Sequence, residues 1–316
     1  MDLSLEKISK ILNKNDNFCI LTHQYPDGDT LGSAFALCIA LQNMGKKAKV
    51  VNDEAFPEKY NFLQSKLEIQ NFKPNFFICV DIANKKLLGP NLKELYANDI
   101  DISIDHHLIN EDFAKFRYVN SSAAATGEII YELLKIMNVK INKHIANCIY
   151  TAIATDTGCF KYKNTTSNTH RVASDMIDFG ADVFDINRLM FDSKSKEQFM
   201  AERYILDSME FYFNNRVAVV YVMLDMLEKT GAKDTFVDGI AGIPKQIIGV
   251  DIGITFRQKE DKVFKISVRT KENIDASLIC SHFGGGGHAN AAGCTLCGNL
   301  DEIKFMFLEY AKNFLK

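Results

Sequence analysis

The chain has 316 residues, of which 47% are hydrophobic and 24% are charged, and its formal net charge is −3. This composition is typical of a globular protein, and at roughly 150 residues per domain the length predicts two domains. A slight excess of acid leaves no general basic surface, which disfavours long nucleic acids as ligands. The longest apolar run, near Val217–Met223, is far too short to span a membrane, so we expect no membrane partner.

The N-terminal segment and the cysteines indicate where the protein works. Residues 1–17 are polar and have helical spacing, which does not match a signal peptide. Most of the eight cysteines lie within apolar runs, where a free thiol is a small core residue. Together these features predict a reducing, cytoplasmic location.

Strands and helices alternate in the first half of the chain. Helices are predicted at Leu3–Leu12 and at Leu31–Met44, where Thr30 would be the cap. Short continuous apolar runs are typical of strands that are covered on both faces, and four occur, at Phe18–Leu21, Ala48–Val51, Phe76–Val80 and Ile100–Ile104. The alternation predicts an α/β fold with a doubly wound, mainly parallel sheet.

The middle of the chain is predicted to be helical. The helices are Ala123–Met137, Lys143–Ala154 and Ser167–Phe179. The segment Thr155–Phe160 would interrupt the helical pattern and expose Asp156. The long segment Ser193–Phe213 lacks Gly and Pro, and we interpret it as a helix that connects two domains.

These boundaries predict a first domain at 1–192, a linker helix at 193–214 and a smaller α/β substrate-binding domain at 215–316. The second domain would contain a strand at Val217–Met223, a hairpin of Ile247–Phe256 with Val263–Arg269, and helices at Ala276–His282 and Leu300–Phe314.

Acids and imidazoles follow the predicted strand ends of the first domain. In open α/β sheets, ligands bind beyond the carboxyl ends of the strands. The residues at such positions are His23, Asp27, Asp29, Asp81, Asp105, His106 and His107. We expect them to converge on one edge of the sheet.

Part of this set predicts a site for two divalent metal ions. Asp27 lies in a Pro-Asp-Gly tripeptide, which by itself is a common turn. The metal interpretation becomes stronger when Asp81, His106 and Asp156 are added, because buried carboxylates in one crevice repel each other and are costly to desolvate. Four carboxylates carry −4 and two divalent ions carry +4, so loading would take the net charge from −3 to +1.

Two metals at about 3.5–4 Å clamp the attacking and leaving oxygens in a displacement at phosphorus, and activate water as the nucleophile. A mixed set of histidine and aspartate ligands suits Mn²⁺ better than Mg²⁺. We therefore predict two divalent ions, with Mn²⁺ preferred.

A run of four glycines, 284–287, precedes His288 in the second domain. Glycine backbone N–H groups can point at an anion without obstruction, although such runs are also common in flexible linkers. Arg269 ends a predicted strand, and arginine binds phosphate in a bidentate manner. The predicted substrate-binding residues are Arg269, Gly285, Gly286, Gly287 and His288.

Taken together, the motifs resemble those of the DHH-family phosphoesterases with a DHH-associated C-terminal domain. The motifs are His23–Ser33, the strand that ends in Asp81, Asp105-His106-His107, Thr155–Gly158 and Gly284–Gly293. They cover nearly the whole chain in the expected order. The length is most similar to that of the nano-RNase group, which implies hydrolysis of short oligoribonucleotides and of 3′-phosphoadenosine 5′-phosphate (pAp).

The resemblance implies a role for each residue. His23 and Asp27 would bind one metal, Asp29, His106 and Asp156 would bind the other, and Asp81 would bridge the two. Asp105 would orient a neighbouring imidazole. His107 would face the scissile phosphate as an electrostatic partner or as the acid to the leaving group. The substrate-binding set would hold the other phosphate or a terminal nucleotide.

Three other functions are compatible with part of this pattern. The same residues could hydrolyse linear dinucleotides such as pApA, which come from cyclic dinucleotide messengers. A regulator that binds nucleotides without turnover is disfavoured, because all six proposed ligands are present and convergent ionisable groups mark working sites. A family II inorganic pyrophosphatase is disfavoured because that family lacks the glycine-rich loop with its histidine. The resemblance also implies a homodimer through the first domain.

Overall fold

The computed structural model describes residues 1–271 and 273–315, without the side chains of residues 235–238. The chain divides into two compact units, Met1–Ser193 and Lys194–Lys316. The segment interpreted as a linker helix therefore belongs to the second unit.

The first unit has seven α-helices and five strands among the residues described. In chain order they are α1 (Leu5–Lys14), β1 (Phe18–Leu21), α2 (Gly28–Asn43), β2 (Ala48–Val51), β3 (Phe76–Val80), α3 (Pro90–Tyr96), β4 (Ile102–Asp105), β5 (Phe116–Val119), α4 (Thr126–Ile136), α5 (Lys143–Asp156), α6 (Ser167–Asp178) and α7 (Val183–Asn187). Short 3₁₀ turns lie at Glu58–Gln64 and Lys85–Leu88, and a π-turn lies at Arg188–Asp192.

The sheet of this unit is fully parallel, in the order β2-β1-β3-β4-β5. The predicted doubly wound sheet is confirmed. Strand order reverses between β1 and β3, and in such folds the ligand crevice lies at the carboxyl ends of the strands at that reversal. The edge strand β5 was missed because its sequence Phe-Arg-Tyr-Val is half-buried and interrupted by a charge.

Both faces of the sheet are covered. Phe18 and Ile20 of β1 point into a large core with α1, α2, α4, α5 and α6. Cys19 and Leu21 point to the opposite face, where they pack with Leu88 and other residues around α3. Successive strand residues alternate between faces, so the continuous apolar run that predicted β1 reflects burial on both sides.

Two helix ends differ from the prediction, and both carry candidate ligands. Helix α2 begins at Gly28 rather than at Leu31, because the carboxylate of Asp27 accepts the backbone N–H groups of Asp29 and Thr30 at 3.0 and 3.1 Å and so caps the helix. Helix α5 continues to Asp156, whereas the sequence predicted an interruption there. The hydroxyl of Thr155 donates to the backbone carbonyl of Thr151 at 2.8 Å, which lets a polar residue remain within the last turn.

The second unit contains four helices and six strands among the residues described. They are α8 (Lys196–Asp207), β6 (Glu210–Tyr212), β7 (Val217–Val222), α9 (Leu224–Thr230), β8 (Ile252–Glu260), β9 (Val263–Thr270), α10 (Ala276–Ser281), β10 (Gly286–His288), β11 (Ala291–Cys297) and α11 (Leu300–Ala311). 3₁₀ segments lie at Asp234–Gly242, Pro244–Gln246 and Lys312–Phe314.

The sheet of the second unit has the order β10-β11-β9-β8-β7-β6, and only β7 and β8 run parallel. Helices α10 and α11 cover one face, and α8 and α9 cover the other. The helix predicted over Ser193–Phe213 is shorter, and its last residues form β6 as an edge strand. Ala201 and Ile205 of α8 pack on Val220 and Val222 of β7, so α8 is a layer of this unit.

The glycine run forms the edge of this second sheet. Gly286–His288 pairs antiparallel with β11, with Gly287 opposite Ala292 and His288 opposite Ala291. The four glycines thus end in an ordered strand. Among the described residues, none of the helices combines the length and the apolar character that a membrane span requires.

Candidate functional site

Seven of the predicted side chains meet at the carboxyl edge of the first sheet. Among the described residues, three groups each bring one donor atom per residue within 4.8 Å of the others: Asp81 with His106 and His107, His23 with Asp27 and Asp81, and Asp29 with His106 and Asp156. These groups share members, so the donors form one continuous cluster. Strand ends supply most of them, and the last turn of α5 supplies Asp156.

Asp81 lies at the centre of the cluster. Its carboxylate oxygens are 3.9 Å from Nε2 of His23 and 3.7 Å from Nε2 of His106. The residue follows β3 directly and has a φ of 60°, a left-handed conformation that a non-glycine residue adopts at a cost of order 1–3 kcal/mol. Asp81 is only 4% exposed. A strained, buried carboxylate between two imidazoles is the arrangement that a bridging ligand needs.

Asp29 is held in place by the first turn of α4. The backbone N–H groups of Thr126 and Gly127 donate to its two carboxylate oxygens at 2.7 and 2.9 Å, and the Ser33 hydroxyl donates at 3.1 Å. A helix N-terminus attracts negative charge. Nε2 of His106 lies 3.7 Å from the same carboxylate.

The protonation behaviour of these acids tests whether the cluster fits divalent metals. Burial, followed by repulsion from neighbouring carboxylates, raises the pKa values of Asp29 and Asp81 well above the usual range. Burial also raises the pKa of Asp156. Without a counter-ion the cluster therefore favours protonated acids, and a divalent cation would favour the charged forms. Carboxylates with imidazole Nε2 atoms are a ligand set that suits such cations.

The imidazole of His106 is oriented so that its Nε2 atom can bind a cation. Its Nδ1 lies 3.3 Å from the carbonyl oxygen of Ala123, which favours a proton on Nδ1 and leaves Nε2 free to bind a cation. Nε2 lies 3.5 Å from a carboxylate oxygen of Asp156.

His107 has a different environment from its neighbour. Its Nδ1 is 2.7 Å from a carboxylate oxygen of the fully buried Asp105, so His107 is the imidazole that Asp105 orients. The second oxygen of Asp105 accepts the side-chain amide of Asn110 at 2.5 Å. The hydrogen bond to Asp105 raises the pKa of His107.

Two glycines allow the close packing that brings these elements together. A Cβ on Gly28 would lie 2.3 Å from the hydroxyl oxygen of Thr155, and a Cβ on Gly127 would lie 2.5 Å from Cβ of Ala152. Gly28 has an ordinary negative φ, so its role is to let α2 approach α5 rather than to make the predicted turn.

In the second unit the structure places Arg269 and His288 in one cross-strand row. Arg269 lies opposite Ala291 of β11, and Ala291 lies opposite His288 of β10. Residues in one row share a face of the sheet, at about 4.8 Å per strand. Arg269 is half-buried, and this burial lowers its pKa. Among the described residues, its side chain donates only to the carbonyl of Val268. Its guanidinium therefore has donors left for an anion.

Comparisons with known proteins agree with the division of the chain into two units. A model described as the DHH family, N-terminal domain, matches residues 17–153, and one described as the DHHA1 domain matches residues 214–314. Over 304 residues the chain is 31% identical to NrnA of Thermus thermophilus, a bifunctional oligoribonuclease and PAP phosphatase, and the match covers 94% of this chain and 89% of that protein.

The chain belongs to the DHH family. The predicted family is confirmed. A second relative, the bifunctional oligoribonuclease and PAP phosphatase NrnA of Bacillus subtilis, is 24% identical over 296 residues, with 92% of each chain covered. A solved structure of an exopolyphosphatase-related protein from Bacteroides fragilis matches with a TM-score of 0.89 and 25% identity, over 98% of this chain and 96% of that one.

Within this DHH-family chain, the sequence patterns did not reveal the residues that hold the acids in place. Thr126 donates from both its backbone N–H and its hydroxyl, the latter to Asp81 at 3.0 Å. Its position next to Gly127 at the start of a predicted helix was a usable signal, since helix N-termini bind anions. Asn110 had no such signal, because only the fold brings it to Asp105.

Proposed function

We propose that this protein is a metal-dependent phosphohydrolase that hydrolyses short oligoribonucleotides and pAp. The observation that carries the proposal is the cluster of four aspartates and two ligand-type histidines at the carboxyl edge of the parallel sheet. The relatives from T. thermophilus and B. subtilis are both named as oligoribonuclease and PAP phosphatase, which supports this pair of substrates.

The proposed cofactor is a pair of divalent ions, with Mn²⁺ preferred. His23 and Asp27 would hold one ion, and Asp29, His106 and Asp156 would hold the other. Asp81 is within reach of both histidines and would contact both ions. Bound divalent ions would polarise the phosphoryl group and lower the pKa of water, which is the chemistry that they supply at phosphoesters.

The chain itself would supply orientation and a proton. Asp105 fixes His107 through its Nδ1 atom, so the Nε2 edge of the imidazole is free to face the substrate. Because Asp105 raises the pKa of His107, the imidazolium is better populated near neutral pH. We propose that it donates a proton to the leaving oxygen or pairs with the phosphate charge.

The second unit would bind the rest of the substrate. We propose that Arg269, His288 and the backbone of Gly285, Gly286 and Gly287 hold a phosphate or a terminal nucleotide. Arg269 and His288 share one face of the sheet, and β10 is an edge strand, a position where outward backbone groups lack a sheet partner. The N–H of Gly285, which precedes β10, donates to the carbonyl of Cys280 at 2.9 Å, so the backbone of Gly286 and Gly287 is the better placed part of this set.

Hydrolysis of pAp and of a five-residue RNA, with Mn²⁺, Mg²⁺ or a chelator, tests the function. We expect metal-dependent release from both substrates, and the ratio of kcat/KM values would rank them. A series that includes pApA would reveal a preference for dinucleotides. Absence of release by a protein that binds the metal would overturn the proposal.

Gly286→Ala tests the substrate-binding strand without disturbing it. A Cβ at Gly286 meets no atom within 4 Å, so we expect an unchanged Tm and a higher KM for pAp if the substrate approaches this backbone. Gly242→Ala is the matched control, because a Cβ there also meets open space. An unchanged KM in Gly286→Ala would remove this strand from the substrate site.

A cytoplasmic location and a homodimer are part of the same proposal. Sedimentation of the purified protein at micromolar concentration would test the dimer.

A further inference from the structure

An exposed aromatic side chain lies between two proposed metal ligands. Tyr25 follows His23 and precedes Asp27 by two residues each, and it is 75% exposed. At 3.8 Å per Cα step, its Cα lies within about 7.6 Å of the Cα atoms of both ligands. Among the described residues its hydroxyl makes no hydrogen bond and its ring stacks on no other ring.

A second exposed tyrosine lies on the adjoining loop. Tyr162 is 62% exposed, and its ring packs on Gly158, where a Cβ would lie 2.3 Å from the ring. Gly158 comes two residues after Asp156, another proposed ligand. Within the described part of the chain, the Tyr162 hydroxyl also makes no hydrogen bond.

The helices next to the two tyrosines are in direct contact, the start of α2 with the last turn of α5. The backbone of Gly28 lies against the side chain of Thr155, so close that a Cβ on Gly28 would be 2.3 Å from its hydroxyl oxygen. Tyr25 is three residues before Gly28, and Gly158 is three residues after Thr155. Tyr25 and Gly158, the residue under the Tyr162 ring, are therefore both chain neighbours of this contact and of proposed ligands, Asp27 and Asp156.

We propose that Tyr25 and Tyr162 form an aromatic clamp for the base of the nucleotide whose phosphate is bound at the metal cluster. The inference deepens the proposed function, on which it rests, by naming what recognises the nucleoside within the first unit. Stacking on an aromatic ring tolerates every base, because each base has a π-face. The clamp would make the site prefer nucleotides over base-free phosphoesters and would not select a sequence.

The test compares AMP with ribose 5-phosphate, which is the same ligand without its base. Binding to the full-length protein in excess Mn²⁺ is measured by titration calorimetry. We expect Tyr25→Ala and Tyr162→Ala each to weaken AMP binding by about 5- to 150-fold, the usual effect of losing one stacking partner. Ribose 5-phosphate binding should stay within about twofold, since no base is present to stack.

Two controls separate stacking from other effects. Tyr25→Phe and Tyr162→Phe keep the ring and should bind AMP as the unmodified protein does. Phe184→Ala removes an aromatic side chain that is 79% exposed on α7, a helix without proposed metal ligands. It should change neither the affinity for AMP nor the affinity for ribose 5-phosphate.

Unchanged AMP affinity in both alanine variants would overturn the clamp. Equal losses for AMP and ribose 5-phosphate would overturn it as well, because they would show that the tyrosines support the metal loops instead. The measurement needs no turnover. A protein that does not hydrolyse pAp but binds AMP through these rings would overturn the proposed function and leave the clamp in place.

Discussion

Individual acids in this site have distinct surroundings although they carry the same functional group. Asp29 receives three hydrogen bonds from Ser33, Thr126 and Gly127, whereas Asp81 receives one side-chain hydrogen bond, from Thr126. Asp29 is therefore fixed by the protein, and Asp81 has more lone pairs left for cations. Substitutions at the residue scale should separate these roles.

Asp81→Asn should remove the shared ligand and also relieve repulsion. We expect the rate of pAp hydrolysis to fall by more than about 100-fold. This is more than the loss caused by removing a residue that only hydrogen-bonds to a metal ligand. The metal-free variant should have a higher Tm than the metal-free original, because one buried carboxylate is gone from a repelling cluster. Activity assays, metal analysis and thermal unfolding check this. Retained activity would contradict the bridging role.

Asp105→Asn should shift the pH profile. The hydrogen bond to Asp105 raises the pKa of His107, so its loss lowers that pKa and the imidazolium disappears at a lower pH. If His107 acts as the acid, the basic limb of the kcat profile moves to lower pH, and kcat falls by about 10–100-fold. Asn110→Ala removes a donor to the same carboxylate and leaves its negative charge to act on His107, so the basic limb should stay in place or move to higher pH.

Whole elements set the distances within the cluster. Helix α4 directs its first N–H groups at Asp29, and α5 carries Asp156 in its last turn. The two helices pack closely because Gly127 lies against Ala152. Any change that separates α4 from α5 should therefore loosen the metal cluster.

Gly127→Ala is such a change. The added Cβ would lie 2.5 Å from Cβ of Ala152, so α4 must shift, at a cost of about 1–3 kcal/mol in the free energy of unfolding. Affinity for Mn²⁺ should fall together with stability. Gly242→Ala, in open space, should leave both unchanged. Denaturant unfolding and metal titration measure the two effects, and a stable variant with normal metal affinity would argue against the role of α4.

At the scale of the molecule, each unit has its own apolar core, and the proposed metal cluster lies entirely within the first. In the metal-free protein, Asp29 and Asp81 have raised pKa values. Their stabilising contribution as protonated acids is complete below the unfolded-state pKa of about 3.9. It is lost as the pH rises through their folded-state values.

Metal loading should therefore stabilise the first unit more as the pH rises. With free Mn²⁺ at 100 times its Kd, each site contributes about 2.7 kcal/mol, or roughly 5–11 °C in Tm for a unit of this size. We expect scanning calorimetry at several pH values to show a growing shift of the transition that belongs to the first unit. A shift that shrinks as the pH rises would contradict the assignment of these carboxylates as ligands.

The sequence alone determined the parallel sheet, the polar residues at its strand ends and the family. These features depend on local patterns. Apolar runs that alternate with helical spacing predict strands followed by helices. In a parallel sheet all strands end at the same edge, so the residues that follow them lie together there. The strand β1 and the position of Asp81 after β3 were both available in this way.

Only the tertiary structure decided how the site is held together. Thr126 and Asp29 are 97 residues apart, and no local pattern predicts their hydrogen bond. The common row of Arg269 and His288 and the contact of Gly127 with Ala152 likewise depend on how separate elements pack. Packing between distant segments is set by the complementarity of whole surfaces, which a stretch of sequence does not contain.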